Sequence, residues 1–564
     1  MAPQDVRSLP GAELPALAAR VRERIVGTVA ENGGHLAASL GAVELAIGLL
    51  RTFSPPEDSI LWDVGHQAYA WKILTGRGEA FGSLRRHNGI SGFPDPAESP
   101  CDAFVAGHAG SALAAALGIA AARDRIGGGH VVAVVGDASL ANGESMEALG
   151  AMGSSRPTNG AMCGIRGKVL IVVNDNAAEG AWRPGREFFA AFGIGCSDPV
   201  DGHNVGAVEA ALEAAKREGR SFAVHVVTKK GKGFAPAECD PEAWHGVGPF
   251  DLDGTGETCV TSGTAKMTVA WSEVFGEAMV EAARRDGKVC AVVAAMRRGT
   301  GLERFAKEFP DRFFDVGIRE EMAVTFAAGL AKAGMRPVVA IYSTFLQRAI
   351  DQMQHDVCLQ RLPVVFAVDR AGCVGEDGAT HHGLYDIPLL RPLTGMRILA
   401  PCCADDLKEM LFGALAGDGP VAIRYPKGLS VAKAPVEGCW LSANAQPSIQ
   451  VRLLAVGDQA AKAAEVASLL AKDGIVAEVV PVREVKPADA RCMASAGGRA
   501  VLVASIENGV VAGGFGESVG ADMRFGWPDA VVGHGSVGEL EGDFGFDAGS
   551  VSRAIAERIR QGNG

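Results

Sequence analysis

No long run of lysine or arginine occurs in the 564 residues, and 66 acidic residues against 54 basic ones give a net charge of −12. A nucleic-acid partner is therefore not expected, because phosphate-backbone binding needs a basic footprint. A small anionic substrate stays open, since a few local arginines suffice for it. No apolar stretch reaches the ~18 residues of a membrane span, so no membrane partner is expected. The first residues also lack the basic-then-apolar pattern of an export signal. The 12 cysteines include no Cys-x-x-Cys pair and are scattered, often inside apolar runs such as Val289-Cys290-Ala291. Reduced buried thiols, and a cytoplasmic location, are the expectation. Short repeats and low-complexity tracts are absent as well.

What is present is an alternation of helical patterns and short β-branched runs. At roughly 100–200 residues per domain, the length predicts about three domains. Val131–Val135 and Val169–Val173 are continuous apolar runs that end at Gly-Asp and Asn-Asp. Strands buried on both faces of a parallel sheet read this way. Helical segments such as Ala112–Arg123 lie between them. Residues 250–266 and 431–448 are loose, polar stretches that predict linkers. Between and after them the strand candidates are Val289–Val293, Val338–Tyr342, Val364–Val368, Val421–Tyr425, Val451–Val456, Ala477–Val480 and Ala500–Ala504. The predicted architecture is three consecutive α/β domains with mainly parallel sheets, over 1–250, 266–430 and 449–564.

Gly136-Asp137-Ala138 and Asn174-Asp175-Asn176 each follow an apolar strand. Ligands of open parallel sheets bind just past such strand ends. Asp137 and the amide of Asn176 are hard oxygen ligands. Mg²⁺ takes about six oxygens and is commonly shared between one or two carboxylates and phosphates. A single Gly-Asp-Ala is an ordinary turn; the pair of strand-end motifs is what suggests a metal bridged to a diphosphate.

The surrounding runs are more specific: ILWDVGHQAYAWKILTGR at 60–77, TKKGKGFAPAECDPEAWH at 228–245, AVTFAAGLA at 323–331 and AIYSTFLQRAIDQ at 340–352. With these and LPVVFAVDRAG and RYPKG, nearly the whole chain resembles the 1-deoxy-D-xylulose-5-phosphate synthases, within the transketolase-like thiamine-diphosphate enzymes. The resemblance implies a transketolase-like fold, a homodimer, and thiamine diphosphate with Mg²⁺ as cofactors. It implies Asp137, Asn176 and the carbonyl of Ala178 as metal ligands. His66, Gly107-His108-Ala109, Ser111, Ala138, Ser139, Phe234, Phe345 and Arg348 are implied as cofactor contacts, with Phe234 where the family usually has tyrosine. Glu320 is implied as the carboxyl group that hydrogen-bonds the aminopyrimidine and so promotes loss of the C2 proton. His35, Asp377, His381 and His245 complete the implied polar set.

Tyr342, Arg370 and Arg424 each lie at or beside the C-terminal end of a strand candidate. Arginine forks match phosphate oxygens in bidentate geometry. By resemblance the three hold the phosphate of glyceraldehyde 3-phosphate. The implied reaction joins pyruvate to D-glyceraldehyde 3-phosphate with loss of CO₂, giving 1-deoxy-D-xylulose 5-phosphate. That product opens the non-mevalonate isoprenoid route and also feeds thiamine and pyridoxal biosynthesis. A transketolase or another carboligase, and a non-catalytic cofactor-binding paralogue, are the alternatives.

Several positions depart from the family pattern. Ala138 replaces a glycine, and 158–167 is an extra stretch. Arg319, Glu321 and Met322 replace Ala, Gln and His around Glu320, and His382 replaces a glutamine. The several dozen residues that usually cover the active site after Asn176 are mostly missing. The expectation is that Glu179–Phe189 replaces part of that cover and moves, with Phe188-Phe189 supplying apolar bulk.

Overall fold

The apolar runs of the first 250 residues form a six-stranded, all-parallel sheet: β1 (Ser59–Trp62), β2 (Val131–Gly136), β3 (Val169–Asp175), β4 (Gly195–Cys196), β5 (Val200–Asp201) and β6 (Phe222–Val227). The spatial order is β1-β2-β3-β6-β4, with β5 also on β6. Each central strand divides its side chains between two cores. Val132, Val134, Leu170 and Val172 join one; Val131, Ala133, Val135, Val169, Ile171 and Val173 join the other. Side chains alternate faces along a strand, so helices on both sides of a parallel sheet demand an apolar residue at every position. The computed structural model describes residues 2–153, 167–176, 183–252, 268–431, 438–440, 449–488 and 501–562.

The chain separates into two compact units, Met1–Ser262 and Gly263–Gly564. The second contains β7 (Thr268–Ala270), β8 (Val289–Val293), β9 (Phe313–Asp315), β10 (Arg336–Tyr342), β11 (Val365–Asp369), β12 (Arg397–Leu399) and β13 (Val421–Arg424). After these come β14 (Leu429–Val431), β15 (Gly438–Trp440), β16 (Val451–Val456), β17 (Ala477–Val482), β18 (Glu484–Lys486), β19 (Leu502–Val510) and β20 (Met523–Trp527). A seven-stranded sheet runs β18-β12-β13-β11-β10-β8-β9 and a five-stranded sheet runs β15-β17-β16-β19-β20; β7 and β14 pair apart from both. Both larger sheets are parallel except at one edge, where β18 and β15 run antiparallel. The same two-core division holds, with Val339, Ile341, Phe366 and Val368 on one face and Val338, Ala340, Val365 and Ala367 on the other.

The two sheets of this unit are joined intimately. Strand β18 follows β17 in sequence yet completes the edge of the seven-stranded sheet, pairing Ile398 with Lys486. Leu454, Val456, Val480 and Phe515 lie in the same core as Val339 and Phe366. Among the described residues no helix is long and apolar enough to cross a membrane.

Candidate active site

In the first unit, Gly136 of β2 stands opposite Asn174 of β3. Asp137 and Asn176 therefore leave adjacent parallel strands at the same end of the sheet. The backbone N–H of Asn176 reaches the Asp137 carboxylate at 3.4 Å. Burial pushes the Asp137 carboxyl above its ordinary value, against the pull of the Lys230 cation. The motif is fixed from beneath. Buried Asp175 bonds His225 at 2.7 Å, and Thr228 donates to the Asn174 side chain at 2.6 Å. Ala178 lies outside the described residues.

Close by, three of the predicted histidines come together from distant parts of the sequence. The rings of His66 and His245 are 5.0 Å apart, and His35 lies 5.8 Å from His66 and 5.7 Å from His245. Phe93 closes one side, 5.4 Å from His35. His35 opens the helix Leu36–Gly41, its N–H bonded to the Tyr69 hydroxyl at 3.1 Å. The Ser39 hydroxyl holds the His66 carbonyl at 2.9 Å. His245 is exposed at its surface, but the protein crowded around it and the Lys230 cation still hold its imidazole below the usual histidine range. Phe234 packs edge-on against Trp244 at 5.2 Å.

Asp63 organises the Gly107–Ser111 segment, and sequence reasoning missed it. This residue follows β1, is 1% exposed, and accepts the N–H groups of Gly110 and Ala112 at 3.0 Å and the Ser139 hydroxyl. It thus fixes the start of the helix Ser111–Ile126 and ties it to the Asp137–Ser139 turn. Gly110 needs its freedom here: φ is +97°, and a Cβ would lie 2.4 Å from the Asn142 amide oxygen. The signal was available, for Asp63 follows an apolar strand as Asp137 does. Lys230 was missed too; its charge acts on both Asp137 and His245.

The second unit carries the other predicted residues. Glu320 is the first residue of the helix Glu320–Lys332 and is 3% exposed. The fully buried Ala323, Val324 and Ala327 fix that helix on the core. Burial raises the Glu320 carboxyl above its ordinary value, and Arg348, 3.5 Å away, pulls it back. Phe345 stacks on Tyr342 at 5.7 Å and meets the edge of His381 at 5.6 Å. Tyr342 of β10 lies opposite Asp369 of β11, so Tyr342 and Arg370 emerge together. The Arg370 guanidinium lies 4.1 Å over the Tyr342 ring and donates to Asp369 at 2.7 Å and to the Gly299 carbonyl at 2.8 Å. Asp377 is 3.7 Å from Lys427.

Arg424 is the exception. It is 2% exposed and turned into the unit, donating to Asp386 at 2.7 Å and to the Asn508 carbonyl at 2.9 Å. The structure does not join it to the Tyr342–Arg370 pair. Its connection runs instead to Asn508, whose amide oxygen accepts from Cys373 N–H at 3.0 Å and from Trp527 at 3.1 Å.

The residues present fit the implied cofactor and metal. Among the described residues no cluster of three or more His, Cys, Asp or Glu forms a metal cage. One carboxylate with neighbouring amide oxygens suits a Mg²⁺ that takes its other ligands from phosphate. A buried carboxyl with raised proton affinity suits a partner for an aminopyrimidine.

Models of known families match along the chain. Residues 1–185 match 1-deoxy-D-xylulose-5-phosphate synthase, 267–431 the transketolase pyrimidine binding domain, and 444–551 the transketolase C-terminal domain. The 1-deoxy-D-xylulose-5-phosphate synthase 2 of Geobacter sulfurreducens is 44% identical, covering 99% of this chain and 98% of its own. That of Pelotomaculum thermopropionicum is 42% identical, covering 99% and 96%. The first alignment spans 620 positions against 564 residues here, so at least 56 positions have no counterpart in this chain. Among solved structures, the transketolase of Campylobacter jejuni covers 96% of this chain and 99% of its own, with 18% identity and a TM-score of 0.46.

Proposed function

The chain belongs to the 1-deoxy-D-xylulose-5-phosphate synthase family, and on that premise we propose that it condenses pyruvate with D-glyceraldehyde 3-phosphate, releasing CO₂, to give 1-deoxy-D-xylulose 5-phosphate. The observation that carries this reading is the buried Glu320 at its helix start, together with Asp137 and Asn176, in a chain 44% identical to a named synthase over 99% of its length. Thiamine diphosphate, the family's cofactor, supplies the carbanion chemistry when bound; the protein binds, orients and moves protons.

Asp137, Asn176 and the Ala178 carbonyl would hold Mg²⁺, which screens the diphosphate charge against the buried Asp137. The Asp63-fixed turn presents the Gly107–Ser111 backbone, and Lys230 adds a cation beside Asp137. Glu320 would face the aminopyrimidine, where burial raises its affinity for a proton. Phe345 would wall the cofactor's ring, and Arg348 balances Glu320 when that group is ionised.

His35, His66 and His245 line the cluster in which a proton can be passed. The protein crowded around His245 and the Lys230 charge favour its neutral imidazole, which both accepts and donates, and the rings of His35 and His66 pack 5.7 and 5.0 Å from it. Tyr342 and Arg370 hold the acceptor phosphate, with Asp377 and His381 on the loop that follows. Arg424 would have to leave Asp386 to reach a phosphate, so its part here is to hold Asn508. A cytoplasmic homodimer completes the reading, supported by the family and by eight free cysteines among the described residues, seven of them buried.

The test is product analysis after incubation with pyruvate, glyceraldehyde 3-phosphate, thiamine diphosphate and Mg²⁺. 1-Deoxy-D-xylulose 5-phosphate formed one-to-one with CO₂ supports the reading. Turnover that requires a ketose phosphate and releases no CO₂ replaces it with a transketolase, and absence of cofactor binding with a non-catalytic protein.

A further inference from the structure

The segment from Arg370 to Gly383 carries Asp377 and His381 out from β11 and back. Its base is closed by paired backbone bonds between Gly372 and Gly383, each 2.7 Å. Above that base, bonds from outside the segment hold the loop. Asn508 accepts the Cys373 N–H, and Lys427 donates to the Val374 carbonyl at 3.2 Å. His382, 2% exposed, supplies a link of its own. Its Nδ1 accepts the Val374 N–H at 3.1 Å while its Nε2 lies 2.8 Å from the Gly533 carbonyl.

These two partners fix the chemistry of the ring. An N–H can only donate to Nδ1, so Nδ1 must carry a lone pair. A carbonyl oxygen can only accept, so Nε2 must carry the hydrogen. The ring is therefore the neutral Nε2–H tautomer, joining the loop to the segment that follows β20. Steric contact reinforces this docking: a Cβ on Gly378 would lie 3.1 Å from the His534 Cβ, and one on Gly375 3.1 Å from the Gly535 carbonyl.

We infer that His382 is a positioning residue that, as a neutral imidazole, pins the Arg370–Gly383 loop to Gly533 and so sets the places of Asp377 and His381 for the acceptor step. This deepens the proposed function and rests on it for the acceptor step only. A second proton on Nδ1 would set two donors against each other and break the Val374 bond. Burial opposes that proton most strongly and holds the ring below the ordinary histidine value; the Gly533 carbonyl and Asp377 favour it, and Lys427 and His534 oppose it. The sign follows. The unfolded chain binds this proton at a higher pH than the folded one. The contribution of His382 is thus complete above the ordinary histidine pKa of about 6.5 and is lost as pH falls toward the lower folded value.

The experiment compares His382→Gln and His382→Phe in the full-length protein loaded with thiamine diphosphate and Mg²⁺. Glutamine can accept and donate at once; phenylalanine fills the space and does neither. Phe is expected to lower kcat/KM for glyceraldehyde 3-phosphate by about tenfold, the scale of one lost buried hydrogen bond. It should also speed hydrogen exchange of residues 372–381 and leave cofactor affinity unchanged. Gln is expected to keep the exchange protection and to flatten the acid limb of the acceptor profile. Wild-type exchange and acceptor kinetics in the Phe variant, or a Gln variant as impaired as Phe, overturns the inference. If the wild type makes no 1-deoxy-D-xylulose 5-phosphate, the proposed function fails, and the exchange comparison still decides whether His382 holds the loop.

Discussion

Glu320 stands between two opposing influences, burial that raises its proton affinity and the Arg348 cation 3.5 Å away that lowers it. Burial prevails, so the folded state binds this proton more tightly than the unfolded chain does. Its stabilising contribution is present below the ordinary glutamate pKa and is lost as pH rises through the folded value. Glu320→Gln should retain cofactor binding while C2 deuterium exchange of the bound cofactor slows by roughly 10²–10⁴-fold. Unchanged exchange by NMR would remove Glu320 from its role. The two arginines should separate cleanly. Arg370→Ala is expected to raise the KM for glyceraldehyde 3-phosphate roughly tenfold or more, with little change for pyruvate. Arg424→Ala leaves Asp386 buried without its partner, so a stability loss of about 3–5 kcal/mol in denaturant titration is expected. Equal effects of Arg370→Ala on both substrates would make that residue structural as well.

Elements explain why isolated residues act together. The ends of β1 and β2 and the start of the helix Ser111–Ile126 are tied together by Asp63, which grips Gly110, Ala112 and Ser139. Asp63→Ala should therefore weaken thiamine diphosphate binding in calorimetry and lower stability by roughly 1–3 kcal/mol, as unpaired buried groups do. Full affinity in that variant would show that the Gly107–Ser111 segment holds itself. The expected replacement cover requires revision at its far end. Phe189 is fully buried with Val131 and Val173, and Phe188 and Phe192 pack around it, so the helix Arg186–Ala191 is part of the core. A side chain with that much buried area cannot double as a moving flap. Of the expected segment, 179–182 lies outside the described residues, and Arg183 pairs with Asp175 at 3.5 Å.

For the whole molecule, at least 56 aligned positions of the Geobacter sulfurreducens relative are missing here. The family resemblance implies a cover after Asn176 in relatives, and a cover excludes water from a reactive site. More pyruvate should therefore be lost as acetaldehyde when no acceptor is present than in a relative with the full cover. Release assayed by coupled alcohol dehydrogenase checks this; pyruvate consumed only with acceptor would show that the site is closed by other means. Light scattering of the loaded protein tests the dimer.

The strands at Val131, Val169, Val289 and Val451 were legible because strands covered on both faces must be apolar throughout, and that pattern needs no knowledge of neighbours. The strand-end positions of Asp137, Asn176, Tyr342 and Arg370 were legible for a related reason: each ends or follows such a run, and parallel register carries strand ends to one edge. The motif runs that resemble a known family supplied Glu320 and the three histidines. What a side chain does with its partners depended on the fold. Arg424 reads as one more strand-end arginine until Asp386 and Asn508, distant in sequence, are found against it. His382 reads as a substituted glutamine until Val374 and Gly533 fix its tautomer. Strand β18 crosses to a sheet other than that of its neighbours in sequence. Periodicity and strand-end position are local and survive in one dimension. Hydrogen-bond partners, burial of a charge and the sheet an edge strand joins are set by contacts between distant residues, and only the tertiary structure decides them.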